Sequence, residues 1–190
     1  SAAQYLSGQI PVDQWQHIGF QGLADVCVRM ALFDHQQELI NILPTAPIEV
    51  QAAICECLEH LTLTQPLADS VFALFKQAPI EYKGLFLKAL ASHIPFSQEA
   101  IADLDEHHQL DDAMLITIAA RNWNALKDDS TRKIFLEALA KQSQSFFNQV
   151  FADIVAIPSL RNALLTDLRN PERSAQLSLA IGGLFKAASL

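Results

Sequence analysis

The apolar positions of this chain fall on helical stripes, and the stripes recur. Val50, Ile54 and Leu58 are spaced four residues apart, which stacks them on one helix face, and Tyr82, Phe86 and Leu90 repeat that stripe 32 residues later. The segment Ala46-Pro47-Ile48-Glu49 ahead of the first stripe recurs as Ala78-Pro79-Ile80-Glu81 ahead of the second. The same offset threads four columns through the chain. They read Ile18, Val50, Tyr82, Met114, Phe146; Ile40, Phe72, Leu104, Leu136, Leu168; Leu23, Cys55, Leu87, Ala119, Phe151; and Val26, Leu58, Leu90, Asn122, Ile154, the last with one polar break.

This spacing predicts one set of helices over 14–32, 47–61, 79–94, 111–123, 144–156 and 174–187. An alternating set covers 34–43, 66–77, 97–108, 130–142 and 159–169. Pro47, Pro79 and Pro171 suit a first helical turn, where a missing N–H costs nothing. Ser97 before Gln98-Glu99, Asp111-Asp112, Ser130 before Thr131, and Thr64-Gln65-Pro66 place short polar caps or acids at helix starts.

A helix pair of this length cannot cover its own apolar face, so neighbouring pairs must stack. The expected fold is all-α: an α-solenoid of stacked antiparallel helix pairs with a period of 32 residues, roughly 11 helices, forming a single repeat domain over residues 1–190. In this plan the chain resembles the HEAT-like and armadillo-like α-solenoids, whose repeats run longer. It lacks the Trp, Gly and Tyr positions of the tetratricopeptide pattern and the Thr-Pro-Leu-His of ankyrin. The resemblance implies an architecture with a concave binding surface and carries over no functional residue.

Composition adds to this picture. Apolar residues make up 51% of the chain, and glycine occurs 6 times in 190 residues, which favours helices over glycine-turned strands. The start, Ser1-Ala2-Ala3-Gln4, has neither a basic region nor an apolar core, and the expectation is a fragment of a longer protein. No run of apolar residues is long enough for a membrane span. Three cysteines, Cys27, Cys55 and Cys57, fit a reducing compartment rather than a disulfide framework, and the expected location is cytoplasmic. The net charge of −8 is uneven. Residues 1–110 hold 4 Lys/Arg and 13 Asp/Glu, whereas residues 111–190 hold 9 and 8. The acidic first half repels phosphate backbones and anionic membranes.

Candidate chemistry is sparse. Cys55-Glu56-Cys57 with His60 invites a metal reading, but residues two apart on a helix diverge by about 200°, so the two thiols cannot easily share an ion. Small core cysteines are the expectation, and neither a metal nor a cofactor is called for. The densest polar cluster is Asp103, His107 and His108; Asp103 and His107 stand one turn apart and could form an acid–base pair, or the cluster could close a solvated helix end. His107 falls in the column of Leu43, Phe75 and Leu139, which suggests half-burial. His17, His35 and His93 make no Ser–His–Asp arrangement, and Gly182-Gly183 belongs to no phosphate loop and suits a tight helix contact or a helix end. Asn122 is expected to be a satisfied polar group between helices. Trp15, Trp123, Phe146, Phe147 and Phe185 are expected mainly in packing, with Phe146 filling the Met114 column.

No catalytic signature is present, so the expected function is a protein–protein interaction or scaffold module rather than an enzyme. Its partner would be a protein or peptide, favoured if basic, with homodimerisation through an end helix pair included. The alternatives are an enzyme with a site in a helical groove built on Asp103 and His107, or a nucleic-acid-binding HEAT-like protein using Arg121, Lys127, Arg132, Lys133 and Arg161.

Overall fold

Ten α-helices and one 3-10 turn account for the regular structure of residues 36–189, the part of the chain that the computed structural model describes. The first four are α1 Gln36–Ile42, α2 Ile48–Leu58, α3 Gln65–Gln77 and α4 Ile80–Ala89. They are followed by α5 Ile94–Glu106, α6 Asp112–Arg121, the 3-10 turn Trp123–Lys127 and α7 Asp129–Ala140. The last three are α8 Gln144–Val155, α9 Pro158–Asp167 and α10 Ala175–Ala188. There is no strand among the described residues. Each expected helix from 34–43 onward has a counterpart, and the one expected over 14–32 lies outside the described residues.

The chain forms two compact units that divide between Phe96 and Ser97, inside α5. In the first unit α1 packs on α3, α2 on α4, and α3 on α4. In the second, α6 packs on α8 and α8 on α10, while α7 contacts α6, α8, α10 and the 3-10 turn. Helices two apart in sequence thus lie side by side within each unit.

Two of the stripe positions expected from the sequence are buried at each of four helices. Ile54, Phe86, Ile118 and Val150 are all buried, and so are Leu58, Leu90, Asn122 and Ile154. These eight residues give α2, α4, α6 and α8 the same inward stripe. Other expected columns are less regular: Tyr82 is exposed in the column that buries Val50 and Met114. In α8 the structure buries Phe147, stacked on Phe151 with ring centroids 5.8 Å apart, and leaves Phe146 half-exposed. The column one residue on buries Lys83, Leu115 and Phe147 and half-buries Gln51, while Val50 and Met114 stay buried beside it.

The two polar members of that column share a role. Gln51 Nε2 donates to the Leu43 carbonyl at 2.8 Å, and Lys83 Nζ donates to the Phe75 carbonyl at 2.9 Å. Donors and acceptors are both 32 residues apart, and each bond reaches back eight residues to a carbonyl at or next to the end of a preceding helix. Such carbonyls have no partner inside their own helix, and a side-chain donor supplies one. The Lys83 ammonium also lies 4.6 Å from the Phe75 ring centroid, so its charge is stabilised by a carbonyl and an aromatic face.

Helix starts follow local chemistry. Pro47 and Pro79 immediately precede α2 and α4 with nearly identical backbone angles, φ −55, ψ 152 and φ −56, ψ 153. Asp111, Asp128, Ser143 and Ser174 each accept a backbone N–H three residues on and cap α6, α7, α8 and α10. Two expected caps are displaced. Asp128, not Ser130, caps α7. α5 begins at Ile94, three residues before Ser97, because Pro95 fits a first turn. Ser97 is then buried inside α5 and accepts a 3.1 Å hydrogen bond from Asn122 Nδ2, the polar contact that Asn122 was expected to need.

Lys83→Ala removes a charged donor from a buried carbonyl and is expected to cost about 2 kcal/mol in denaturant unfolding. Lys83→Gln, which places at residue 83 the side chain that already does this work at residue 51, should recover a good part of that loss. Equal losses in the two variants would show that the position contributes packing alone.

Candidate functional site

A cleft of about 590 Å³ opens in the second unit between α7, α9 and the segment leading into α10. Helical spacing builds its walls. α7 presents Asp129, Arg132, Lys133, Leu136 and Glu137, three and four residues apart, and α9 presents Asn162, Ala163, Thr166 and Asp167. Asn170, Glu172 and Arg173 line the approach, and Leu177 comes from the first turn of α10.

Arg132 ties this site together. Its side chain is 4% exposed. Its Nε and Nη2 both donate to Asp167, Nη2 donates at 2.7 Å to Asp129, and Nη1 donates at 3.1 Å to the Leu126 carbonyl of the 3-10 turn. One planar guanidinium thus joins α7, α9 and the turn, a geometry that lysine could not reproduce. Burial pulls its pKa down, but hydrogen bonds and the charges of Asp167 and Asp129 more than offset this and hold it above its ordinary value. Asp128, which caps α7, has its carboxyl held below the usual range by hydrogen bonds from Ser130 and Thr131.

The rim is fixed in the same manner. Glu137 on α7 accepts the backbone N–H of Ser174 at 3.1 Å and its hydroxyl, while the Ser174 hydroxyl accepts the Leu177 N–H at 3.0 Å. Arg173 donates to Ser178 Oγ at 2.9 Å and to the Leu168 and Asn170 carbonyls. Gln144 Nε2 donates to the Ala180 carbonyl at 2.9 Å, and a Cβ at Gly183 would meet the Gln144 side chain at 2.3 Å, so Gly183 is the tight contact between α8 and α10. Among the described residues, the side chains of Lys133, Asn162 and Glu172 make no hydrogen bond or ion pair, and all three are exposed. The cleft therefore offers free ends of both signs above a floor whose charges are tied up in ion pairs. It contains no His and no Cys.

The cluster Asp103, His107 and His108 lies elsewhere, at the C-terminal end of α5. His107 Nδ1 lies 2.8 Å from the Asp103 carbonyl and 3.6 Å from its carboxylate, and the ring is 58% exposed rather than half-buried as its column suggested. The reason is the helix end: α5 stops at Glu106, so His107 stands past its last residue, where the chain is closing off the helix. His108 has φ 54 and closes the helix, with the Gln109 N–H bonded to the Leu104 carbonyl and its own N–H to that of Asp105. This is the Schellman closure, with His in the position that usually holds glycine.

The remaining expected residues are scattered. Cys55 is fully buried, and burial pushes its thiol up to about 12, far from a reactive thiolate. Cys57 is half-buried, and His60 pairs with Glu59 at 3.0 Å. No group of three His, Cys, Asp or Glu side chains among the described residues could hold a metal ion. Of the five basic candidates only Arg132 and Lys133 meet in the cleft. Arg161 donates to the Val155 carbonyl, and Lys127 lies over the Trp123 ring at 5.5 Å. Cys27, His17, His35 and Trp15 lie outside the described residues. Sequence reasoning missed Asp167, Glu137 and Arg173. The pairing of Asp129 and Arg132 at i, i+3 was a visible signal, whereas the 35-residue step from Arg132 to Asp167 followed no column.

Arg132→Ala leaves Asp167 without its partner and opens the cleft floor, and it should cost about 3 kcal/mol in denaturant unfolding. Asp129→Ala, at a side chain 93% exposed, should cost under about 1 kcal/mol. Asp167→Asn should fall between the two, and a reversed order would disprove the assignment of Asp167 as the main anchor.

No helix among the described residues is long and apolar enough to cross a membrane. No curated protein and no solved structure matches the chain. One family does, over residues 1–185, and the chain belongs to it: the family described as "Protein of unknown function (DUF3549)".

Proposed function

We propose that this chain is a scaffold of stacked helix pairs, similar in plan to HEAT-like and armadillo-like solenoids, that binds a protein or peptide partner. The proposal includes the 32-residue repeat itself. Its support is the common buried stripe of α2, α4, α6 and α8, the matched bonds from Gln51 and Lys83, and the side-by-side packing of alternate helices within each unit. A surface assembled from successive helices presents a long run of side chains and suits an extended or helical partner segment.

The observation that carries the binding role is the α7–α9–α10 cleft. Its floor is a closed ion-pair network, so its shape is set before a partner arrives, which lowers the entropic cost of binding. Lys133, Asn162 and Glu172 supply polar ends and Leu136, Ala163 and Leu177 supply apolar surface, the mixture of a recognition site rather than of a proton-transfer site. The acidic first half steers a partner with a basic stripe toward the chain. The sparse cysteines suit a reducing compartment, and a cytoplasmic setting is part of the proposal.

A photo-crosslinking residue placed at position 133 or 162 of the full-length protein, in its own cells, tests the proposal. Both positions should yield the same protein adduct, and position 153, exposed on α8, should not. The adduct should weaken as ionic strength rises through about 0.15 M, where screening sets in within about 8 Å. Adducts to nucleic acid alone, or the same proteins captured from all three positions, would overturn it.

A further inference from the structure

His93 occupies the position immediately before Ile94, the first residue of α5. Its Nδ1 accepts the backbone N–H of Phe96, the third helical residue, at 3.2 Å. That is the bond an N-cap Ser or Asp makes with its side-chain oxygen. Pro95 has no N–H, so the first turn holds few donors in need of a partner, and the ring nitrogen meets one of them.

The ring's other nitrogen fixes its protonation. Nε2 lies 3.0 Å from Gln65 Oε1, and Gln65 Nε2 donates at 2.8 Å to Asp69 Oδ1. An ionised carboxylate only accepts, so the Gln65 amide turns its N–H to Asp69 and its carbonyl oxygen to His93. His93 Nε2 must then carry the hydrogen, which leaves Nδ1 as the acceptor that Phe96 needs. The chain Asp69, Gln65, His93, Phe96 N–H runs in one direction, and it works only with a neutral imidazole.

We propose that His93 is a pH-sensitive cap on α5. Adding a proton to Nδ1 turns the acceptor into a donor facing another donor, and places a positive charge at the positive end of the helix dipole. No acidic residue stands in the first turn of α5 to compensate it. Asp69 reaches the ring only through Gln65, and Lys76 of α3 lies beyond the aromatic rings stacked on it. Lys76 lies 4.9 Å from the centroid of Phe72, which stacks on Phe96 at 4.5 Å, and Phe96 stacks on the His93 ring at 4.4 Å. The same stack therefore already carries one cation. The cap is present while Nδ1 is bare and is lost when Nδ1 takes a proton.

Amide hydrogen exchange on the intact chain, corrected for the intrinsic pH dependence of exchange, tests this. Between about pH 7.5 and about pH 5 the Phe96 amide should lose about five- to tenfold of its protection. His93→Ser, which caps with an oxygen that does not titrate, should hold its protection over the same range, and His93→Ala should be poorly protected at both ends. Nitrogen NMR of the His93 ring in the wild-type chain gives a second readout: at the higher pH Nε2 should be protonated and Nδ1 bare. Protection that falls as steeply in His93→Ser as in the wild type, or a ring protonated on Nδ1 at the higher pH, would overturn the proposal.

Discussion

Every described helix buries apolar residues that it cannot cover alone. At α2, α4, α6 and α8 the buried residues include 54 and 58, 86 and 90, 118 and 122, and 150 and 154. A buried Ile, Leu or Phe is worth about 1.5–3 kcal/mol over an exposed one, so these positions outweigh any single polar contact in the fold. Where the interior position is polar, as at Asn122, it is joined to another buried polar group at Ser97. The shared stripe fixes how α2 meets α4, how α6 meets α8, and so which side chains are left to face outward.

Polar side chains then do two kinds of work. One is closure of helix ends. Gln51 and Lys83 satisfy carbonyls where helices stop, Asp111, Asp128, Ser143 and Ser174 satisfy donors where helices start, and His93 does so with a ring nitrogen. The other is bracing. Arg132 and Glu137 both leave α7, and each binds a different element, α9 for the first and the start of α10 for the second. The cleft exists because these two braces hold its walls. Its free groups, Lys133, Asn162 and Glu172, are those that bracing does not consume.

Much of the helical layout was legible in the sequence, because a stripe of apolar residues four apart leaves few alternatives to a helix. The column at 51, 83, 115 and 147 was not, since its first two members are Gln and Lys. An apolar count passes over a position where a long polar side chain lies inside and reaches a carbonyl. For the same reason Phe146 was expected inside and Phe147 took the place. The start of α5 was read three residues late because Ser97 has the chemistry of a cap, whereas its hydroxyl serves Asn122. The Asp103, His107 and His108 cluster was conspicuous as composition, and its geometry is that of a helix terminus with a left-handed His108. The cleft was hidden: its main tie joins residues 35 apart and obeys no local period, so only the packing of α7 against its neighbours brings it about.

Single alanine substitutions at Ile54, Phe86, Ile118 and Val150, followed by denaturant unfolding of the unit that holds each, test the shared stripe most directly. The four should cost about 2–5 kcal/mol each, with Val150 lowest, while the exposed Ile116 and Leu165 should cost under about 1 kcal/mol. Costs at the four stripe positions no larger than at Ile116 and Leu165 would contradict the proposal that a recurring buried face organises the helices of each unit.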